Sequence, residues 1–157
     1  MSSNAQTPEQ RLHDLHLALP HPPASVAVYL PYKIVGNQLW ISGQIATLGG
    51  DMPYQGVVGK QVTLDEAQEC AKLCALNALA QIKAALGEMS RVKQLIKLQV
   101  FVASEKGFVE QHLVANGASK LFGEVFGEAG KHARSAVGVT SLPLNTPVEL
   151  DLVLEFE

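Results

Sequence analysis

Hydrophobic positions along the chain repeat with two different periods. From Ala67, the apolar residues Ala71, Cys74, Ala75, Ala78, Ile82 and Ala85 recur at three- and four-residue spacing until Gly87, which predicts an amphipathic helix. Thr63 and Glu66 stand ahead of it as a capping box, each side chain serving the other's backbone N–H. Thr7, Pro8 and Gln10 have the same form and predict a short helix that ends before "PHPP". Phe108, His112, Leu113, Leu121, Phe122 and Val125 predict another helix over 108–126, although Gly117 and Gly123 are poor helix formers.

Elsewhere the period is two. "SVAVYLPYKIVGNQLWISGQI" (25–45) holds two apolar runs around Gly36-Asn37, a dipeptide suited to the positive φ angles of a tight hairpin. In "QLIKLQVFVAS" (94–104), Ile96, Leu98, Val100 and Val102 share one face while Leu95, Phe101 and Ala103 share the other, which predicts a strand buried on both faces. Two more strands are expected over 134–141 and 148–156, the latter marked by Leu150, Leu152, Leu154 and Phe156. A turn with Pro143, Asn145 and Pro147 joins them, and "ATLGGDMPYQGVVGKQ" (46–61) is a loop with five glycines or prolines.

The order β-β-α-β-α-β-β, with two substantial helices, predicts an α+β fold: a sheet with both helices on one face, plus the short N-terminal helix. A single domain over 1–157 is expected, with residues 1–25 as a helical extension. No helix remains for the other sheet face, to which Trp40 and Phe101 can point, so self-association through the sheet is expected.

Composition narrows the function. Of 157 residues, 47% are hydrophobic, and 12 Lys and Arg against 15 Asp and Glu give a net charge of -3. No basic field exists to gather phosphates, which argues against nucleic acid as a partner. The N-terminal stretch has neither a basic region nor a long apolar one, and no run approaches the roughly 20 apolar residues of a membrane span, so a soluble cytoplasmic protein is expected. Cys70 and Cys74 fall on one face of the long helix, where two thiols make no zinc site and fit best as small buried apolar residues. His13, His16 and His21 lack a Cys or carboxylate cluster and are expected at the surface.

The most unusual stretch is "HARSAVGVTSLP" (132–143), where Arg134 shares a strand face with only Ala136, Gly138 and Thr140. A long cation stands there beside open volume. Taken alone, Arg134 fits a surface or salt-bridged arginine, and Glu149 fits the polar side of an amphipathic strand.

"GNQLWISGQI" (36–45) with "ARSAVGVTSLPLNTPVELDLVLEF" (133–156) resembles the reactive intermediate deaminase family, also labelled YjgF or endoribonuclease L-PSP, over about residues 26–156. The "FGEAGKHARSAVGV" wording and the N-terminal helix are similar to a longer branch of it. The resemblance implies a chorismate-mutase-like fold, a homotrimer with sites between subunits, and hydrolysis of enamines and imines of the 2-aminoacrylate type to keto acids and ammonia, with no cofactor and no metal. It places the carboxylate-gripping arginine on Arg134 and the water-orienting glutamate on Glu149. The family's tyrosine falls on Tyr29, although Ala27, Val28 and Leu30 replace its neighbours, and Tyr32 is an alternative aromatic. The helix asparagine falls on Ser119, with Asn116 one turn away; Gly59 carries over as a backbone donor, and a frequent cysteine is Ala136 here. Beside the deaminase stand a non-catalytic binding module for small carboxylic acids, then an endoribonuclease, with chorismate mutase last as an analogy of fold alone.

Overall fold

A computed structural model of the chain describes residues 5–24 and 28–157. Its elements are α1 (Pro8–Asp14), β1 (Tyr32–Val35), β2 (Gln38–Ile45), α2 (Leu64–Leu86), β3 (Val92–Ala103), α3 (Gln111–Phe126), β4 (Ala133–Val139) and β5 (Val148–Phe156). The strands form one sheet in the order β1-β2-β5-β3-β4, in which only β3 and β4 run parallel. A helix between two parallel strands is what that connection requires, and α3 supplies it.

Both expected capping boxes form. Thr63 Oγ1 accepts from the Glu66 N–H and the Glu66 carboxylate accepts from the Thr63 N–H; Thr7 and Gln10 repeat the arrangement on α1. Gly87 closes α2 with a positive φ of 79°. The apolar stripe of α2 packs with Val114, Ala118, Leu121 and Phe122 of α3 onto Leu39, Leu98, Val100, Leu150, Leu152 and Leu154 of the sheet. Where the two helices cross, a Cβ at Gly117 would overlap the Gln68 carbonyl, so the glycine that weakens α3 as a helix lets it approach α2. The Cys70 and Cys74 thiols are buried and free; Cys74 donates to Val148 O, and burial pushes the Cys70 pKa up to about 12.

Three elements differ from expectation, each for a local reason. The first strand begins only at Tyr32: Pro31 has no N–H to pair, and Val28, Tyr29 and Leu30 before it are exposed. The start of that run, residues 25–27, lies outside the described residues. Helix α3 begins at Gln111 instead of Phe108, because Gly107 turns the chain at φ 90° and the Phe108 carbonyl is taken by the Gln111 side chain. In β3 the register slips between Leu95 and Lys97, so Leu95 joins Leu98, Val100 and Val102 on the core face while Ile96 does not. One extra residue inverts the parity that a uniform period of two assumes.

The helices cover one sheet face. On the other, Trp40 is 51% and Val137 46% exposed, and Val153 and Phe101 are half-covered. On that face of β3 Ala103 is buried but Gln99 is exposed, so within the single chain the face is covered only at its end. Among the described residues no helix is long and apolar enough to cross a membrane.

Candidate functional site

Arg134 stands near the start of the edge strand β4. It pairs with the buried Leu98 in the parallel ladder, so its side chain leaves the sheet on the helix face and meets α3. There Nη1 donates to Asn116 Oδ1 (2.8 Å) and Ser119 Oγ (3.1 Å), and Nη2 donates to the His112 carbonyl (3.2 Å). All three acceptors are neutral. Among the described residues no carboxylate lies at ion-pair distance from the guanidinium, and Nε makes no hydrogen bond. The fork is oriented by dipoles while its charge stays uncompensated, the state of a cation ready for an external anion. A shallow depression of about 320 Å³ lies beside it, lined by Ser119, Gly123, Gly130 and His132.

The space expected over Ala136 and Gly138 is filled. A Cβ at Gly138 would come within 2.8 Å of Gln111 Nε2 and Ser104 Oγ, and Ala136 packs against the core. Small residues there admit Gln111 of α3 and Ser104, just past β3, instead of a ligand.

Glu149 occupies the opposite face of the sheet. It pairs with Ile45 of β2 and Phe101 of β3, and its carboxylate lies over Gly43, where a Cβ would overlap Oε1. The β2 register shifts between Ile41 and Gln44, so an irregular stretch and a missing side chain together make room for the carboxyl. Burial pushes the Glu149 pKa above the ordinary carboxylate value, and the neighbouring Asp151 charge pushes it further. Around it is a cleft of about 400 Å³, beside the segment that leads into β1, with Pro23, Ala24, Tyr29, Pro31, Gln81 and Leu144 in its walls. Two buried amides on successive turns of α2 hold those walls. Asn77 Nδ2 donates to Ile45 O, Thr47 O and Thr47 Oγ1, and Gln81 Nε2 donates to Pro23 O at 2.8 Å.

The expected residues therefore divide. Arg134, Asn116 and Ser119 gather at one edge; Glu149 and Tyr29, the latter 53% exposed, line the cleft. Tyr32 lines a separate hollow of about 570 Å³ with Trp40, Lys97 and Asp151, which Tyr29 also borders. Gly59 lines neither the depression nor the cleft, and its N–H donates to Val62 O within its own turn at φ 94°. Sequence reasoning missed His132, Gly43, Asn77 and Gln81. A signal existed for the last two: amides four residues apart within a segment otherwise rich in small apolar residues are out of place unless they serve backbone groups.

A five-stranded sheet in this order, with two long helices on one face, is the YjgF/chorismate-mutase-like fold. The family model described as "YjgF/chorismate mutase-like, putative endoribonuclease" matches residues 9–156, and the chain belongs to that family, which is the one its motifs resemble. It is 46% identical over 147 residues to Protein TCP17 of Trypanosoma cruzi, covering 92% of this chain and 91% of that protein. Protein Atu1372 of Agrobacterium tumefaciens, of unknown function, superimposes with a TM-score of 0.88 at 48% identity, covering 96% of this chain and 92% of that one. A Shewanella oneidensis structure does so with a TM-score of 0.94 at 40% identity, covering 96% and 100%.

Proposed function

We propose that the protein hydrolyses small enamines and imines bearing a carboxylate, of the 2-aminoacrylate type, to the keto acid and ammonia. The observation that carries this is the Arg134 guanidinium, held by three neutral oxygens and paired with no carboxylate among the described residues. Arg134 grips the substrate carboxylate through its open edge. Asn116 and Ser119 hold the arginine. Glu149 orients a water against the electrophilic imine carbon and takes its proton as the C–O bond forms. It returns that proton to nitrogen, then takes the proton of the new hydroxyl and passes it to the same nitrogen, so that the oxygen's electrons form the carbonyl as the C–N bond breaks and ammonia leaves. A carboxyl with a raised pKa suits both transfers better than an ordinary one.

No single chain supplies both groups to one ligand. Arg134 and Glu149 leave opposite faces of the sheet, with β3 between their strands and three ladder positions between them along the chain direction. That separates their Cα atoms by about 10 Å across the strands and about 10 Å along them, more than a three-carbon acid spans. A homotrimer joined through the open sheet face, with the Arg134 corner of one copy at the Glu149 cleft of the next, makes the site whole. Trp40 and Val137, exposed on that face, support such an assembly.

The assay is purified protein with imine generated in situ, following keto acid and ammonia release. The deaminase reading expects acceleration over spontaneous hydrolysis. Binding of small keto acids without acceleration returns the binding-module reading, and absence of both sinks the reading. The net charge of -3 argues against RNA as the substrate.

A further inference from the structure

We infer that His132 is a positioning residue for Arg134, acting through the hydroxyl of Ser119; this rests on Arg134 being the carboxylate clamp. His132 lies two residues before Arg134, yet its ring turns away from the strand toward α3. There it meets the buried Phe122 edge-on, with centroids 6.2 Å apart and planes at 85°. Nδ1 is 2.6 Å from Gly130 O, and Nε2 is 2.9 Å from Ser119 Oγ. A Cβ at Gly130 would overlap the Phe122 carbonyl, so only glycine lets this turn lie so close against α3.

The hydrogen-bond directions follow from what each atom can do. A carbonyl only accepts, so Nδ1 of the neutral ring carries the hydrogen and Nε2 is left as an acceptor. Ser119 must then donate its hydroxyl hydrogen to Nε2. That turns its lone pairs toward Arg134 Nη1, 3.1 Å away, which donates to them. Every polar atom from Gly130 O to the guanidinium has one role, and the chain ends on Arg134 Nη1, leaving Nε free among the described residues. Without the ring, the Ser119 hydroxyl rotates freely. Arg134 then loses a fixed acceptor, and ligand binding must supply the order that the chain had already supplied.

Two amides dissect the ring. Asparagine reproduces the Nδ1 position and can still serve Gly130 O, whereas glutamine reaches the Nε2 position and can still serve Ser119. Pyruvate and 2-oxobutanoate are titrated against the full-length wild type, His132→Ala, His132→Asn, His132→Gln, Ser119→Ala and the double variants. In parallel, the Arg134 Nε–H signal, assigned by its loss in Arg134→Ala, is followed by NMR without ligand. The chain predicts that His132→Asn and His132→Ala weaken binding by about three- to ten-fold, the equivalent of one hydrogen bond, and broaden the Arg134 signal. His132→Gln should keep both near wild type, and in the Ser119→Ala background the three His132 variants should be equal. If asparagine rescues and glutamine does not, or if His132→Ala leaves the Arg134 signal sharp, His132 merely holds its turn and the inference is overturned. If the wild type binds neither acid, the carboxylate-clamp reading falls, while the NMR signal still decides whether His132 orders Arg134.

Discussion

The corner around Arg134 and the cleft around Glu149 treat charge in opposite ways. At the corner, three neutral oxygens accept from the guanidinium and leave its charge without a partner. In the cleft, burial and Asp151 disfavour the ionised carboxyl, so it holds a proton more readily than an ordinary glutamate. One region asks for an anion; the other is suited to passing a proton. Neither is useful to folding in that state, since an unpaired cation and a raised carboxyl both contribute less than an ion pair would. In the proposed deaminase, these two groups, on opposite faces of one sheet, are the two halves of the reaction that assembly brings together.

The largest expected effect breaks the corner alone. Arg134→Ala should weaken keto-acid binding by about a hundred-fold or more, as loss of a charged two-point contact does, while the melting temperature falls only slightly. Arg134→Lys should recover a small part, because an ammonium cannot reproduce the fork. Isothermal titration and a thermal melt on the same samples check this. Retained affinity in Arg134→Ala would move the anion site elsewhere.

Breaking the cleft should look different. Gly43→Ala places a methyl group where the Glu149 carboxylate lies, and displacement of about an ångström can reduce turnover roughly a hundred-fold. Keto-acid affinity should change far less. Steady-state kinetics with in-situ imine separates the two, since an effect confined to KM would assign Glu149 to binding.

A third substitution sharpens the comparison from beneath the cleft. Asn77→Ala takes the amide donor from Thr47 O and from Ile45 O, the latter keeping only the Thr47 N–H, and should destabilise the protein by about 2 kcal/mol, measured by urea unfolding. The Arg134 corner has no contact with Asn77, so the residual folded protein should still bind keto acid.

The smallest effect concerns stability and pH. A carboxyl whose pKa is higher in the folded chain holds its proton more tightly there than in the unfolded chain. The stability linked to it is intact below the unfolded value and is lost as pH rises through the raised folded value. Removing the charge by Glu149→Gln should therefore raise the melting temperature at pH 7 by about one or two degrees, even as turnover falls. That gain should disappear below the ordinary value of 4.5. A destabilised variant at pH 7 would show that the ionised carboxylate has a partner.

How much of this was legible before folding differs between the regions. Helix α2 announces itself through its capping box and small-residue stripe, because both are local. Arg134 and Glu149 stand in a recognisable stretch, so their positions were legible; their surroundings were not. The filling of the space at Gly138 depends on where Gln111 and Ser104 are delivered by other elements. The β3 parity depends on pairing with β5, which a single strand's pattern does not contain. His132 sits inside the quoted motif, yet its role depends on Ser119 arriving from α3.

The central claim, a site shared between copies, has one direct test. Arg134→Ala and Glu149→Gln chains, each inactive alone, are co-expressed with different tags and the mixed oligomers are isolated. If each site takes Arg134 from one copy and Glu149 from the next, every mixed trimer, whichever chain it holds twice, restores both groups in about a third of its sites, and turnover should return to about that share of wild type. Mixed oligomers as inactive as either parent would contradict it, leaving both residues to act within their own chain or not at all.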